Sequence, residues 1–122
     1  MSANNPNHSH KDLKPLIMEM GQGIALHSGD YTKAAKRAVL DALHHSSLTI
    51  FRSLGRDPND MEIELTIAAQ APDQVDLAAL VELFPYGHVT PRAVRGGLDV
   101  TDASTGDPCV IVNAAVVVRL RV

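Results

Sequence analysis

The segment from Cys109 to Val122 most constrains the fold. Val110, Val112, Ala114, Val116, Val118, Leu120 and Val122 make one wholly apolar face at period two. The opposite face reads Cys109, Ile111, Asn113, Ala115, Val117, Arg119 and Arg121. Such a strand is apolar on both faces through its middle and half-wet only at its end. It belongs in the centre of a sheet, covered twice. Asn113 stands in that middle. A buried amide must find partners, so it either ties strands or subunits together or points into a polar pocket.

The rest of the chain supplies neighbours for that strand. Leu16-Ile17-Met18-Glu19-Met20 alternates at period two and predicts a short strand after Pro15. Gly21 to Asp30 then reads as a loop. From Asp30 the period changes: Ala34, Ala35, Ala38, Val39, Ala42 and Leu43 recur at helical spacing, with Asp30 as N-cap accepting from the Thr32 or Lys33 amide. The helix fades around His44 to Ser47, and Arg52 to Asn59 reads as a loop. Met61 to Ile67 is the cleanest strand, with Met61, Ile63, Leu65 and Ile67 on one face and Glu62, Glu64 and Thr66 on the other. Asp76 caps a short helix that ends at Pro85. Residues 88–95 form a strand whose Pro91 requires an edge or a bulge. Asp99 to Pro108 reads as a polar loop.

The order is β-α-β-α-β-β, which predicts an α+β fold with one four- or five-stranded, mostly antiparallel sheet and both helices on one face. Residues 1–14 are a polar tail, in which His8 and His10 read as solvated, and 15–122 are a single domain. Two helices cover only one face. The second, carrying Ile111, Ala115 and Val117, then needs a cover the chain does not supply, and a homo-oligomer is the simplest one. Glu62 and Glu64 are candidates for cross-strand pairing with Arg119 and Arg121.

Composition narrows function mainly by exclusion. A net charge of −3 and four aromatic residues, Tyr31, Phe51, Phe84 and Tyr86, argue against nucleic acid and an anionic membrane as partners. No apolar run reaches the length of a membrane span, the N-terminus lacks a signal-peptide block, and Cys109 is alone; together these point to the cytoplasm. Neither His-Glu-x-x-His nor paired cysteines occur, so no metal or other cofactor is expected. Gly21-Gln22-Gly23 before a helix invites a phosphate-binding reading, but a third glycine is missing at Leu26, and Asp30 puts negative charge where phosphate would sit. His27 is either a general acid/base or a histidine that hydrogen-bonds a turn. Tyr86 and His88 flank the Gly87 turn and offer a phenol and an imidazole. Arg92 and Arg95 suit an anion or plain solvation.

Three blocks together carry a resemblance: Gly21-Gln22-Gly23 to Asp30, Phe84-Pro85-Tyr86-Gly87-His88-Val89-Thr90, and Ile111 to Val118. From about Pro15 onward the chain resembles a small family of conserved hypothetical proteins, found in bacteria and plants and first named from a Listeria locus. The family motif is Gly-x-Gly-x-Asp-x-His-Gly. Gly21, Gly23 and His27 match it, whereas Ala25 stands at the aspartate and Ser28 at the final glycine. The resemblance implies no reaction, and the missing carboxylate is either lost or moved to Asp30. A looser fold-level analogy is to the repeated domains of ring-opening amidohydrolases such as cyanuric acid hydrolase.

The expectation is a small homo-oligomeric enzyme doing acid/base chemistry, hydrolysis or isomerisation, on a compact polar substrate such as an amide or heterocycle. His27 is the catalytic candidate. Gly21, Gln22, Gly23, Asp30, Tyr86, His88 and Asn113 are candidate substrate contacts, with the Gly21 and Gly23 amides facing developing negative charge. The alternative is a non-catalytic small-ligand-binding or assembly protein.

Overall fold

The computed structural model describes residues 13–44, 55 and 57–121. The elements are β1 (Leu13–Ala25), α1 (Tyr31–His44), β2 (Glu62–Ala69), α2 (Leu77–Val81), β3 (His88–Arg95), β4 (Leu98–Thr101) and β5 (Pro108–Arg121), with single 3-10 turns at Pro58–Asp60 and Pro72–Gln74. The expected tail, with His8 and His10, falls outside the described residues except for Leu13 and Lys14. Those two are the start of β1.

The five strands form one sheet in the order β1-β5-β2-β3, and β4 takes over the second edge of β5 where β2 leaves it. Three of the four pairings are antiparallel, and β2 with β3 is parallel. β5 is central, as its two-faced apolar pattern requires. Pro91 lies on β3, the edge strand, where a missing N–H costs nothing. β4 overlaps the start of the expected polar loop, Asp99 to Pro108: four exposed residues, two of them polar, give too short a pattern to read.

The core lies between the sheet and the helices. Val110, Val112, Ala114, Val116, Val118 and Leu120 of β5 join Met61, Ile63, Leu65 and Ile67 and the Ala34, Ala35, Ala38, Val39 and Ala42 face of α1. Among the described residues no polar or charged side chain is buried in it. Both helix caps form: Asp30 Oδ1 accepts from the Lys33 amide at 3.0 Å, and Asp76 Oδ1 from the Ala79 amide at 3.2 Å. Among the described residues no helix is long and apolar enough to cross a membrane.

Gly21 and Gly23 are not in a loop. They are strand residues paired with Ala114 and Val112, and both face α1. A Cβ on Gly21 would stand 2.2 Å from the Ala38 carbonyl oxygen, and one on Gly23 2.0 Å from the Ala34 oxygen. The helix therefore lies directly on the backbone of β1, with its alanines against the two glycines. At this range its polar side chains reach round the outer edge of β1. Asp41 Oδ2 accepts from the Gln22 amide at 2.9 Å, and Arg37 Nη1 donates to the Ile24 carbonyl at 2.6 Å. Those two groups would otherwise be an unpaired sheet edge. At the same end of the sheet, on the other side of β5, the chain crosses from β3 to β4 through Gly97, where a Cβ would meet the Ile111 oxygen at 2.3 Å. Gln70 Nε2 fastens that crossing by donating to the Gly96 and Gly97 carbonyls.

Both flanking neighbours at the glycine seat are backbone atoms, which cannot rotate away. Gly23→Ala should therefore destabilise the fold by about 3 kcal/mol. Gly106→Ala, at φ +75° with open space around it, should cost only about 1 kcal/mol. Urea unfolding with unchanged m-values measures both; equal losses would show that the helix does not sit hard on Gly23.

Candidate functional site

The loop between β1 and α1 is short, Leu26 to Asp30, and is held at both ends. Ala25 is fully buried and paired with Val110, and Asp30 is fixed as the helix cap. Between them His27 adopts φ +70°, the only described non-glycine residue in the left-handed region. That conformation costs a β-carbon-bearing residue free energy and persists only where its surroundings impose it. Here it turns the imidazole toward the loop preceding β5. Nδ1 lies 3.0 Å from Oδ2 of Asp107, eighty residues away. A carboxylate only accepts, so Nδ1 carries the hydrogen, and in the neutral imidazole Nε2 is left as an acceptor. The imidazole is 70% exposed.

Asp107 is itself well placed. Asp102 folds the preceding loop around its own carboxylate, accepting from the Ser104 hydroxyl at 2.6 Å and the Ser104 amide at 2.8 Å. The Asp102 amide donates to the Asp107 carbonyl, and Gly106 donates back to the Asp102 carbonyl. The Ser104 hydroxyl first, then the Ser104 and Thr105 amides, hold the Asp102 carboxyl below its usual range. Beside this loop Tyr31, the first residue of α1, donates its hydroxyl to Asp99 of β4. The hydrogen bond to Asp99, with burial and its negative charge adding to it, raises the Tyr31 phenol above its ordinary value.

The expected site residues fall into separate places. His27 and Asp30 share the loop, but the Asp30 carboxylate is occupied by the Lys33 amide. The carboxylate beside His27 is that of Asp107 instead. Gly21 and Gly23 face the helix. In an antiparallel strand N–H and C=O groups alternate sides, and the Gln22 amide and Ile24 carbonyl point outward, so the Gly21 and Gly23 amides point to β5. Their expected contact with a developing charge is corrected on that ground. Gln22 and Asn113 are directly opposite each other on the uncovered face of the sheet. Tyr86 and His88 stand at the far end: His88 is level with Glu62, and Glu62 with Arg119. At about 3.3 Å per residue, Arg119 is roughly 36 Å along β5 from Pro108. Tyr86 instead borders an apolar pocket with Ile17, Leu43, Met61, Phe84 and Val118. Among the described residues no group of three or more His, Cys, Asp or Glu side chains is arranged to hold a metal ion.

Sequence reasoning passed over Tyr31, Asp99, Asp102 and Asp107. A usable signal existed in the density of aspartates between Asp99 and Pro108. The Tyr31 pair has a direct test. Because the folded state holds the phenolic proton more tightly than the unfolded chain, the Tyr31–Asp99 contact stabilises the fold at and below pH 10.0 and is lost as pH rises through the elevated value. In a Tyr86→Phe background, Asp99→Asn should lower the midpoint of tyrosinate absorbance. An unmoved midpoint would show that Asp99 does not govern Tyr31.

No curated protein matches the chain. Among solved structures, a crystal structure of an FtsZ-like protein of unknown function from Nostoc punctiforme superposes with a TM-score of 0.80 at 34% identity. The match covers 90% of this chain and 98% of that one. A family model for conserved hypothetical proteins, designated Lin0512_fam, matches residues 15–118, nearly the whole described domain. The chain belongs to that family of conserved hypothetical proteins.

Proposed function

We propose that the protein is a small homo-oligomeric cytoplasmic enzyme that performs acid/base chemistry, hydrolysis or isomerisation, on a compact polar substrate such as an amide or heterocycle. The observation that carries this reading is the His27–Asp107 pair. A non-glycine residue held at φ +70° meets a carboxylate presented by a separately braced loop. This is the base-and-orienter arrangement that general acid/base catalysis uses. Asp107 fixes the imidazole through Nδ1, and Nε2 takes a proton from water or from a substrate N–H or C–H. The resulting imidazolium lies against the Asp107 carboxylate, then returns the proton to the departing or rearranged atom. Tyr31 and Asp99, bonded to each other, bring a phenol and a carboxylate onto the neighbouring elements. Gln22 and Asn113 remain candidates for polar substrate contacts through their position on the open face.

The second reading, a ligand-binding or assembly protein without catalysis, draws on a different observation. The face opposite the helices exposes Met18, Met20, Ile24, Leu98 and Val100, and an apolar patch of this kind is often a contact surface.

The two readings separate experimentally. Turnover is sought across a panel of small amides, lactams and cyclic ureides, following ring opening or ammonia release. His27→Gln should lower kcat by about 100-fold or more. Asp107→Asn should reduce it as well, through loss of imidazole orientation. Turnover in His27→Gln equal to that of the unaltered protein removes His27 from the chemistry. Saturable binding of a panel member with no conversion favours the second reading.

A further inference from the structure

The face of the sheet away from the helices is made of alternate residues from all five strands. Across β1 and β5 it reads Met18 beside Val117, Met20 beside Ala115, Gln22 beside Asn113 and Ile24 beside Ile111. On the other side of β5, Leu98 lies beside Ile111 and Val100 beside Cys109. Met18 and Met20 are each 67% exposed. No described helix or loop crosses this face.

Its charges are mixed. Among the residues whose side chains are described, Glu62, Glu64, Arg92 and Arg119 are on it, two of each sign, with His88 at the margin, and Arg121 takes the next position of this face along β5. Arg119 is paired to Glu64, and Arg92 Nε donates to the Thr66 hydroxyl at 3.0 Å, so both guanidinium groups lie along the sheet instead of projecting from it. A strongly acidic or basic partner would meet no complementary field here. A surface of mixed sign with an apolar side over β1, β5 and β4 suits itself. Size agrees: strand spacing of about 4.8 Å and rise of about 3.3 Å per residue give the face roughly 700 Å² in projection. Each partner in a standard specific interface contributes about 800 Å².

We propose that a second copy of this chain seats on the open face of the sheet, with the Gln22–Asn113 row within the contact. Covering that row removes water from two side-chain amides, each of which then needs donors and acceptors. A second copy supplies the same amides, and in an isologous contact each residue that meets another is met in return. The amide row thereby sets the register of an otherwise apolar contact, as single buried polar residues do in helical assemblies. The face runs on to the end of β1 and the start of β5, so the covering copy approaches the His27–Asp107 pair. Self-association of this kind gives the proposed oligomer its surface but does not depend on acid/base chemistry at His27. His27→Gln should leave it intact.

Cys109 lies on this face and reports on it without mutation. Sedimentation of the full chain at tens of micromolar should give a mass above the 13.1 kDa of one chain. Maleimide labelling of Cys109 should slow several-fold as concentration rises through the same range. Val117→Arg, with unchanged far-UV circular dichroism, should return the protein to a single chain and restore fast labelling. A single-chain mass at tens of micromolar overturns the proposal. So does an oligomer whose Cys109 labels equally fast at every concentration, because the copies then meet through another surface. Should Val117→Arg fail to fold, the labelling of the unaltered protein still decides between these outcomes.

Discussion

The structure depends on two missing side chains. With hydrogen in place of Cβ at Gly21 and Gly23, α1 rests on the backbone of β1, and Ala34, Ala38 and Ala42 come within contact of it. No other pair of residues would let a helix in so close; even alanine would overlap carbonyl oxygens. Three consequences follow from that seat. The helix is near enough for Arg37 and Asp41 to occupy the free edge of β1. The core can be dense although it is built largely from alanine and valine. The helix N-terminus is also fixed near the start of β5, which sets where the connecting loop must run.

The candidate site is a product of that placement. The loop from Leu26 to Asp30 spans a strand that ends in the sheet and a helix held tightly above it, so its residues have little conformational choice. His27 takes up the strain as a positive φ, and its imidazole meets Asp107, which a separate aspartate-centred turn delivers. Neither half of the pair is a property of its own segment. Each is aimed by the element it follows or precedes.

The architecture was legible where side-chain pattern alone determines placement. The two apolar faces of β5 fixed its central position, Pro91 marked an edge, and the alanine periodicity with Asp30 defined α1 and its cap. Patterns failed where the cause lay elsewhere in the chain. Gly21-Gln22-Gly23 read as a loop because glycine signals flexibility and close approach alike, and only the facing alanines tell which. Asp107 could not be joined to His27 because no local feature links residues that distant. Tyr86 and His88 stood as candidate substrate contacts with no strand order to place them; the parallel pairing of β2 with β3 sets them, within one chain, at the opposite end of the sheet from His27.

The central place of β5 has a consequence for how the chain folds. It is the last strand in chain order, yet every sheet pairing except that of β2 with β3 runs through it. Leu13 pairs with Arg121, so the outermost described strand ends close only through the most distant contact available. Local pieces such as α1 and the β2–α2–β3 unit can form early, but they have no sheet to join until β5 arrives. Folding is therefore governed by loop closure over nearly the whole length, a topology that sets a slow rate whatever the final stability. During synthesis the methionine-bearing strand β1 must wait, unpaired, for a partner that emerges after every other described element.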